Sequence, residues 1–109
     1  MAQPKKTERL AHGQLPIAKT TLYTCPPDTR VSVTCISLVN TDVAARTANL
    51  YLKESGGTSK SIIPQNMNMG IDYHFIEKEL SHAMHAGDVI EGDASVATQI
   101  DYVLSGEVY

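Results

Sequence analysis

The chain has 109 residues, 42% of them hydrophobic, a formal net charge of −3, no Trp and one Phe. That length implies one domain with a single modest core, which must be filled by Val, Ile, Leu and Ala with a few Tyr. The acidic balance argues against nucleic-acid binding through the body, and no apolar run approaches the roughly 18 residues that a membrane helix needs.

No apolar stretch follows the N-terminal lysine pair as a secretory signal requires. The expected site of synthesis is therefore the cytosol, where Cys25 and Cys35 are read as two buried thiols, the structural disulfide being the lesser alternative. The charge is uneven. Residues 1–13 hold Lys5, Lys6 and Arg9 against Glu8, a sum of +2, and the rest of the chain sums to −5. This polar stretch has no usable period. It predicts an extended N-terminal arm over 1–13, disordered if left free, ahead of a domain over 14–109. Lys5, Lys6 and Arg9 are the candidate partner-binding residues, with a solubilising tail as the plain alternative.

Leu15 to Thr24 alternates weakly and predicts a first strand, entered after Pro16. Leu22 to Lys53 then holds three β-branched and aromatic runs separated by Pro26-Pro27-Asp28-Thr29 and by Asn40-Thr41-Asp42. This is the pattern of consecutive antiparallel strands joined by turns. The middle run is apolar at Val31, Val33, Cys35 and Val39 on one parity and at Ile36 and Leu38 on the other. It is either covered on both sides or bulged near Cys35 so that its faces swap. In the third run Ala48, Leu50 and Leu52 share a face, which predicts a half-buried strand.

Gly56-Gly57 marks a turn, and Ser61-Ile62-Ile63 a short strand stopped by Pro64. Met67 and Met69 sit in a predicted loop, to plug a gap or lie on a contact surface. From Tyr73 the alternation predicts a strand to about Lys78, followed by a loop or one helical turn. Gly87-Asp88 turns into Val89-Ile90-Glu91. Ser95-Val96 is expected to open the last strand, where Ile100, Tyr102, Leu104 and Val108 alternate with Asp101, Ser105 and Glu107 and only Val103 breaks the polar face. Seven or eight short strands with a turn about every ten residues predict an all-β, single antiparallel β-sandwich of jelly-roll kind.

Reactive constellations are sparse. His82 and His85 with nearby Asp88 have a spacing that is common by chance, and two exposed loop histidines are the favoured reading. No nucleophile elbow, P-loop or dinucleotide fingerprint occurs. Gly56-Gly57-Thr58-Ser59-Lys60 lies between strands rather than before a helix, so it is no phosphate cradle. Asp88, Glu91 and Asp93 read as a solvated, anti-aggregating edge. The expectation is no catalytic residue, no metal and no cofactor.

Several short motifs keep a recognisable order: Leu22-Tyr23-Thr24 with Pro26-Pro27, Leu38-Val39-Asn40-Thr41, Ala48 to Leu52, Ala86-Gly87-Asp88-Val89-Ile90-Glu91-Gly92, Ala94-Ser95, and Ile100-Asp101-Tyr102-Val103-Leu104-Ser105-Gly106. Over residues 20–107 the chain resembles the small β-sandwich virion proteins of tailed bacteriophages. It is most similar to capsid decoration proteins of short-tailed phages, also called cement or staple proteins. The family's usual Val after Tyr-Thr is Cys25 here.

The resemblance implies a non-enzymatic protein on the capsid exterior. It would bind the major capsid protein across seams between shell subunits, stabilise the DNA-filled shell, and pair with itself as a homodimer or homotrimer on a symmetry axis. Neck or tail components using the same module are one alternative, and a carbohydrate-binding module is another. The latter needs exposed aromatics, and with no Trp only five Tyr and one Phe are available.

Overall fold

The computed structural model describes residues 6–78, 80 and 82–109. Among them are ten strands: β1 (Lys6–Gln14), β2 (Thr20–Thr24), β3 (Val31–Asn40), β4 (Arg46–Lys53), β5 (Ser59–Ser61), β6 (Met67–Met69), β7 (His74–Glu77), β8 (His82–Met84), β9 (Val89–Ala94) and β10 (Ile100–Val108). One sheet runs β1-β10-β3-β7 with β8 also on β3, and the other runs β2-β9-β4-β5 with β6 also on β4.

All pairings are antiparallel and nested. β1 lies on β10, β2 on β9, β3 on β7 and β8, and β4 on β5 and β6. The first four strands therefore form one arm of a long ribbon whose other arm is the remaining strands, and the ribbon folds over so that successive strands fall in alternate sheets. This is a jelly roll, and it is the predicted all-β sandwich.

The facing sheets bury Leu15, Ile36, Leu38, Leu50, Ile90, Ile100 and Leu104 completely, each worth about 1.5–3 kcal/mol relative to exposure. β3 resolves the two-parity problem with a bulge. Ser105 pairs with Cys35 and Gly106 with Val33, so Thr34 is the extra residue. Before it Val31 and Val33 point inward; after it Ile36, Leu38 and Asn40 do. Gly106 is required there, because a side chain at that position would collide with the Ser32 carbonyl.

The fourth strand of each sheet is broken. Opposite the β3 bulge, β7 stops and Leu80 donates its N–H to the Thr34 carbonyl before β8 resumes. In the other sheet Pro64 separates β5 from β6. The Asn49 side chain fills that gap, accepting the Asn66 N–H at 2.7 Å and donating to the Asn66 side chain.

The segment 1–13 differs most from expectation. From Lys6 on it forms β1, paired along its length with β10. Backbone pairing needs no side-chain period; of β1's residues only Leu10 and Ala11 pack on the core. Removing residues 1–13 would thus strip a strand from the sheet. The other differences are smaller. Leu15 is a buried loop residue and the second strand begins only at Thr20. Residues 95–99 are a turn, and the last strand starts at Ile100. Met67 and Met69 lie in a strand, with Met69 fully buried. Residues 82–84 form a strand rather than a helical turn. Both cysteines are free thiols, Cys25 buried and Cys35 half-buried.

Candidate functional site

Jelly-roll winding gathers the connections at two ends. One end holds the loops 15–19, 41–45, 70–73 and 95–99; the other holds 25–30, 54–58 and 85–88 with Tyr109. The first end is apolar. Ile17, Val43 and Ile71 stand 65%, 87% and 61% exposed there, with Tyr73 beside them. These are four of the seven large hydrophobic side chains that the described residues leave in solvent, and their concentration at one end distinguishes them from scattered surface residues.

The loops that carry them are held firmly. Asn40 ends β3 and is 1% exposed. Its amide donates to the carbonyls of Ala44, Met69 and Gly70 at 2.9–3.1 Å, and its Oδ1 accepts the Asp42 N–H. Asp42 in turn accepts the Val43 N–H at 2.7 Å and the Arg46 Nε at 2.6 Å. The Arg46 hydrogen bond, followed by the Val43 N–H, holds the Asp42 carboxyl below its usual range. Ile71 sits in a turn closed by Tyr73 N–H to the Gly70 carbonyl, and the Tyr73 carbonyl accepts from Asn40. The carbonyls on the N-terminal side of Ile17 are taken up as well, Pro16 by Ala94 N–H and Leu15 by Thr98 N–H. Apolar knobs on loops pinned this way are pre-organised for contact, so little ordering cost opposes binding.

The opposite end is polar and its knot is a carboxylate. Asp88, 7% exposed, accepts the Ser55 N–H at 3.0 Å and the His85 N–H at 2.9 Å, and its carbonyl accepts from Cys25. The His85 backbone hydrogen bond is the main reason its carboxyl titrates below the usual range. A shallow cleft of about 390 Å³ lies here, lined by Leu52, Glu54, Ser55, Ala83, His85 and Asp88. Among the described residues no cluster of three His, Cys, Asp or Glu side chains is placed to hold a metal ion. His85 Nδ1 stands 4.0 Å from Asp88, and His82 is half-buried on β8 rather than an exposed loop residue. Burial, then the nearby Asp88 charge, pushes the Cys25 thiol up, away from the thiolate that nucleophilic chemistry requires.

Glu91 and Asp93 lie apart from Asp88, on the outer face of β9. Asp93 accepts from Asn49 and Tyr51, and Glu91 accepts from Ser59. Lys19 covers the Tyr51 ring, its Nζ 4.6 Å from the centroid. That contact takes up one face of the ring. Of the basic candidates, Lys5 lies outside the described residues, Lys6 opens β1 opposite Val108, and Arg9 is exposed on β1 opposite Ser105. Neither Lys6 nor Arg9 belongs to the apolar end. Ile17, Val43, Ile71 and Tyr73 were not singled out as a site by sequence. Their signal is an apolar residue inside a turn cluster, as in Thr41-Asp42-Val43 and Gly70-Ile71-Asp72.

No protein-family model matches the chain, and no curated protein matches it in sequence. Among solved structures it is similar to a chain of the acidic stable capsid of Helicobacter pylori bacteriophage KHP30, with TM-score 0.53 and 15% identity over 96% of this chain and 92% of that one. The fold is a viral capsid-like β fold. Capsid chains of infectious bursal disease virus also align: the Gx strain with TM-score 0.49 and 14% identity over 96% of this chain and 32% of that one, and the VP2 subviral particle with TM-score 0.42 and 18% identity over the same shares. The chain spans about a third of the length of those longer chains.

Proposed function

We propose that this protein is a structural component of a phage virion: a capsid decoration protein that sits on the exterior, binds across seams between major capsid protein subunits and stabilises the DNA-filled shell. The observation that carries this reading is the apolar loop end, where Ile17, Val43 and Ile71 are held rigidly in solvent. Burying one such side chain fully is worth about 1.5–3 kcal/mol, so a few together supply a contact of useful strength. The similarity of its fold to a chain of a phage capsid supports a place on the virion.

The mechanism is mass action. A ligand that binds only the assembled, expanded shell stabilises that state, and many equivalent copies act together against the outward stress of packaged DNA. No side chain needs to react for this, in keeping with a non-enzymatic role. The protein would be made in the host cytoplasm and act on the particle surface. Arg9, exposed on the β1 edge, together with Lys5 and Lys6, offers a secondary basic contact to a neighbouring subunit. Deleting residues 1–5, which leaves β1 in place, tests that contact.

The deciding experiment is co-sedimentation of the purified protein with DNA-filled shells and with empty precursor shells. Binding at high copy number to filled shells is expected. Retention at only a few copies per particle would assign the chain to the neck or tail instead.

A further inference from the structure

Both sheets end in strand edges whose unpaired backbone groups invite another strand, and natural proteins blunt such edges with charge, bulges or brevity. Most edges here are blunted in these ways. β1 carries Lys6, Glu8 and Arg9 and is bulged between Arg9 and Ala11, and β2 is bulged between Thr21 and Tyr23. β5, β6 and β8 are three residues each. β7 differs. His74-Phe75-Ile76-Glu77 keeps unbroken register with β3, and among the described residues no strand lies on its other side. It has no Lys, no Pro and no bulge, its one acidic residue is Glu77 at the end, and Ile76 stands 49% exposed on it.

The register fixes which backbone groups face outward. The Asn40 N–H donates to the Tyr73 carbonyl at 3.0 Å. Bonding alternates along an antiparallel pair, so Phe75 and Glu77 turn their N–H and C=O toward β3, and His74 and Ile76 turn theirs to the free edge. The edge therefore offers two donors and two acceptors in line. It also continues the apolar loop end, because Ile71 and Tyr73, 61% and 42% exposed, lead directly into it.

We infer that β7 takes up an extended segment of a shell subunit as an added strand. Main-chain bonds to His74 and Ile76 hold the segment, and alternate side chains select it. The segment is uncharged, with a β-branched or aromatic residue beside Ile76, the cross-strand pairing that an exposed Ile favours. This contact rests on the decoration reading and names how the shell is gripped beside the apolar end. A second copy of the chain suits the edge poorly. Four residues span about 14 Å at about 3.4 Å each, and a strand pair that short does not stand alone. A shell segment need not stand alone, because contact at the loop end keeps it at high effective concentration.

The test uses proline at the two outward positions. The Ile76 N–H makes no bond to β3, so Ile76→Pro costs the ladder nothing, as edge strands allow when that N–H faces solvent. The fold should persist by circular dichroism. Binding to DNA-filled shells, read by co-sedimentation, should fall at least about tenfold below that of Ile76→Ala, which loses the side chain but keeps the donor. His74→Pro should fall below His74→Ala in the same way. Amide hydrogen exchange on the unaltered protein reads the contact independently: the His74 and Ile76 amides should exchange fast in the free chain and slowly on filled shells.

Folded proline variants that bind as well as the alanine ones overturn the added strand and leave the decoration reading standing, which Val43→Asp tests separately. Exchange at His74 and Ile76 that is as fast on shells as in the free chain does the same, and it decides the matter if the proline variants do not fold. Protection that grows with protein concentration in the absence of shells gives the edge to a second copy and also overturns it. Failure of the unaltered protein to bind filled shells removes the decoration reading and this contact with it.

Discussion

The two ends of this jelly roll are built to the same plan and finished in opposite ways. At each, one buried side chain collects backbone groups from separate loops. At the apolar end that residue is Asn40, an amide whose bonds do not titrate, and the loops it ties display Val43 and Ile71. At the polar end it is Asp88, a carboxylate, and the loops it ties display Ser55, Gly56 and His85. A hydrophobic surface whose central knot carries no charge is suited to being covered. A polar surface held by a titrating carboxylate is suited to staying wet.

The comparison is broken most strongly at Asn40. Asn40→Ala removes a partner from the Ala44, Met69 and Gly70 carbonyls, of which Gly70 keeps the Tyr73 N–H, and leaves the Asp42 N–H without its Asn40 acceptor. A loss of about 3 kcal/mol is expected, given about 1–3 kcal/mol for each buried group left unsatisfied and some relief from water. Thermal denaturation measures it, and shell binding should fall with it.

Val43→Asp comes next. As a surface change it should move stability by no more than about 0.5 kcal/mol, yet lower shell affinity at least about tenfold, a difference of about 1.4 kcal/mol in binding. Quantitative co-sedimentation reads this directly, and unchanged occupancy would remove the apolar end from the interface.

At the polar end the effect depends on pH. The folded-state pKa of Asp88 lies below its unfolded value, so its stabilisation is complete above about pH 3.9 and is lost as pH falls through the lowered folded value. Asp88→Asn, which can accept only one of the two N–H bonds through its carbonyl oxygen, should cost about 1 kcal/mol at neutral pH and flatten the acid limb of the stability curve. Asn40→Ala should lower stability at neutral pH and leave the Asp88 part of that limb in place.

The smallest expected effect is at Thr98, whose φ of +61° places a β-branched residue in the left-handed region beside the apolar end. Thr98→Gly should raise stability by about 0.5–1 kcal/mol by removing that strain, with the apolar knobs undisturbed.

Much of the sandwich was legible in the sequence. Alternation in the last strand identified Ile100, Tyr102 and Leu104 as inward, and the change of parity in the middle run left two readings, a strand covered on both sides or a bulge near Cys35, of which the structure has the bulge. Both follow from the two-residue period of a strand against a half-buried face. The β1 strand was not legible, because an edge strand that contributes little to the core is held by backbone bonds that leave no mark on side-chain pattern. The apolar loop end was missed for a related reason. Ile17, Val43 and Ile71 are each unremarkable in their own loops and become a surface only when the loops meet.

By itself, then, the chain determined its class and most of its turns. Those depend on residue type and near-neighbour spacing, which any reader of the sequence can see. Tertiary structure alone decided that four separate loops share an end, that Asn40 and Asp88 are the knots, and that β3 lies between β10 and β7. The reason is distance along the chain: Asn40 bonds Met69 and Gly70, Asp88 bonds Ser55, and Val103 reaches Ile76 across Ser37. No local pattern encodes pairs so far apart until the ribbon has folded over on itself.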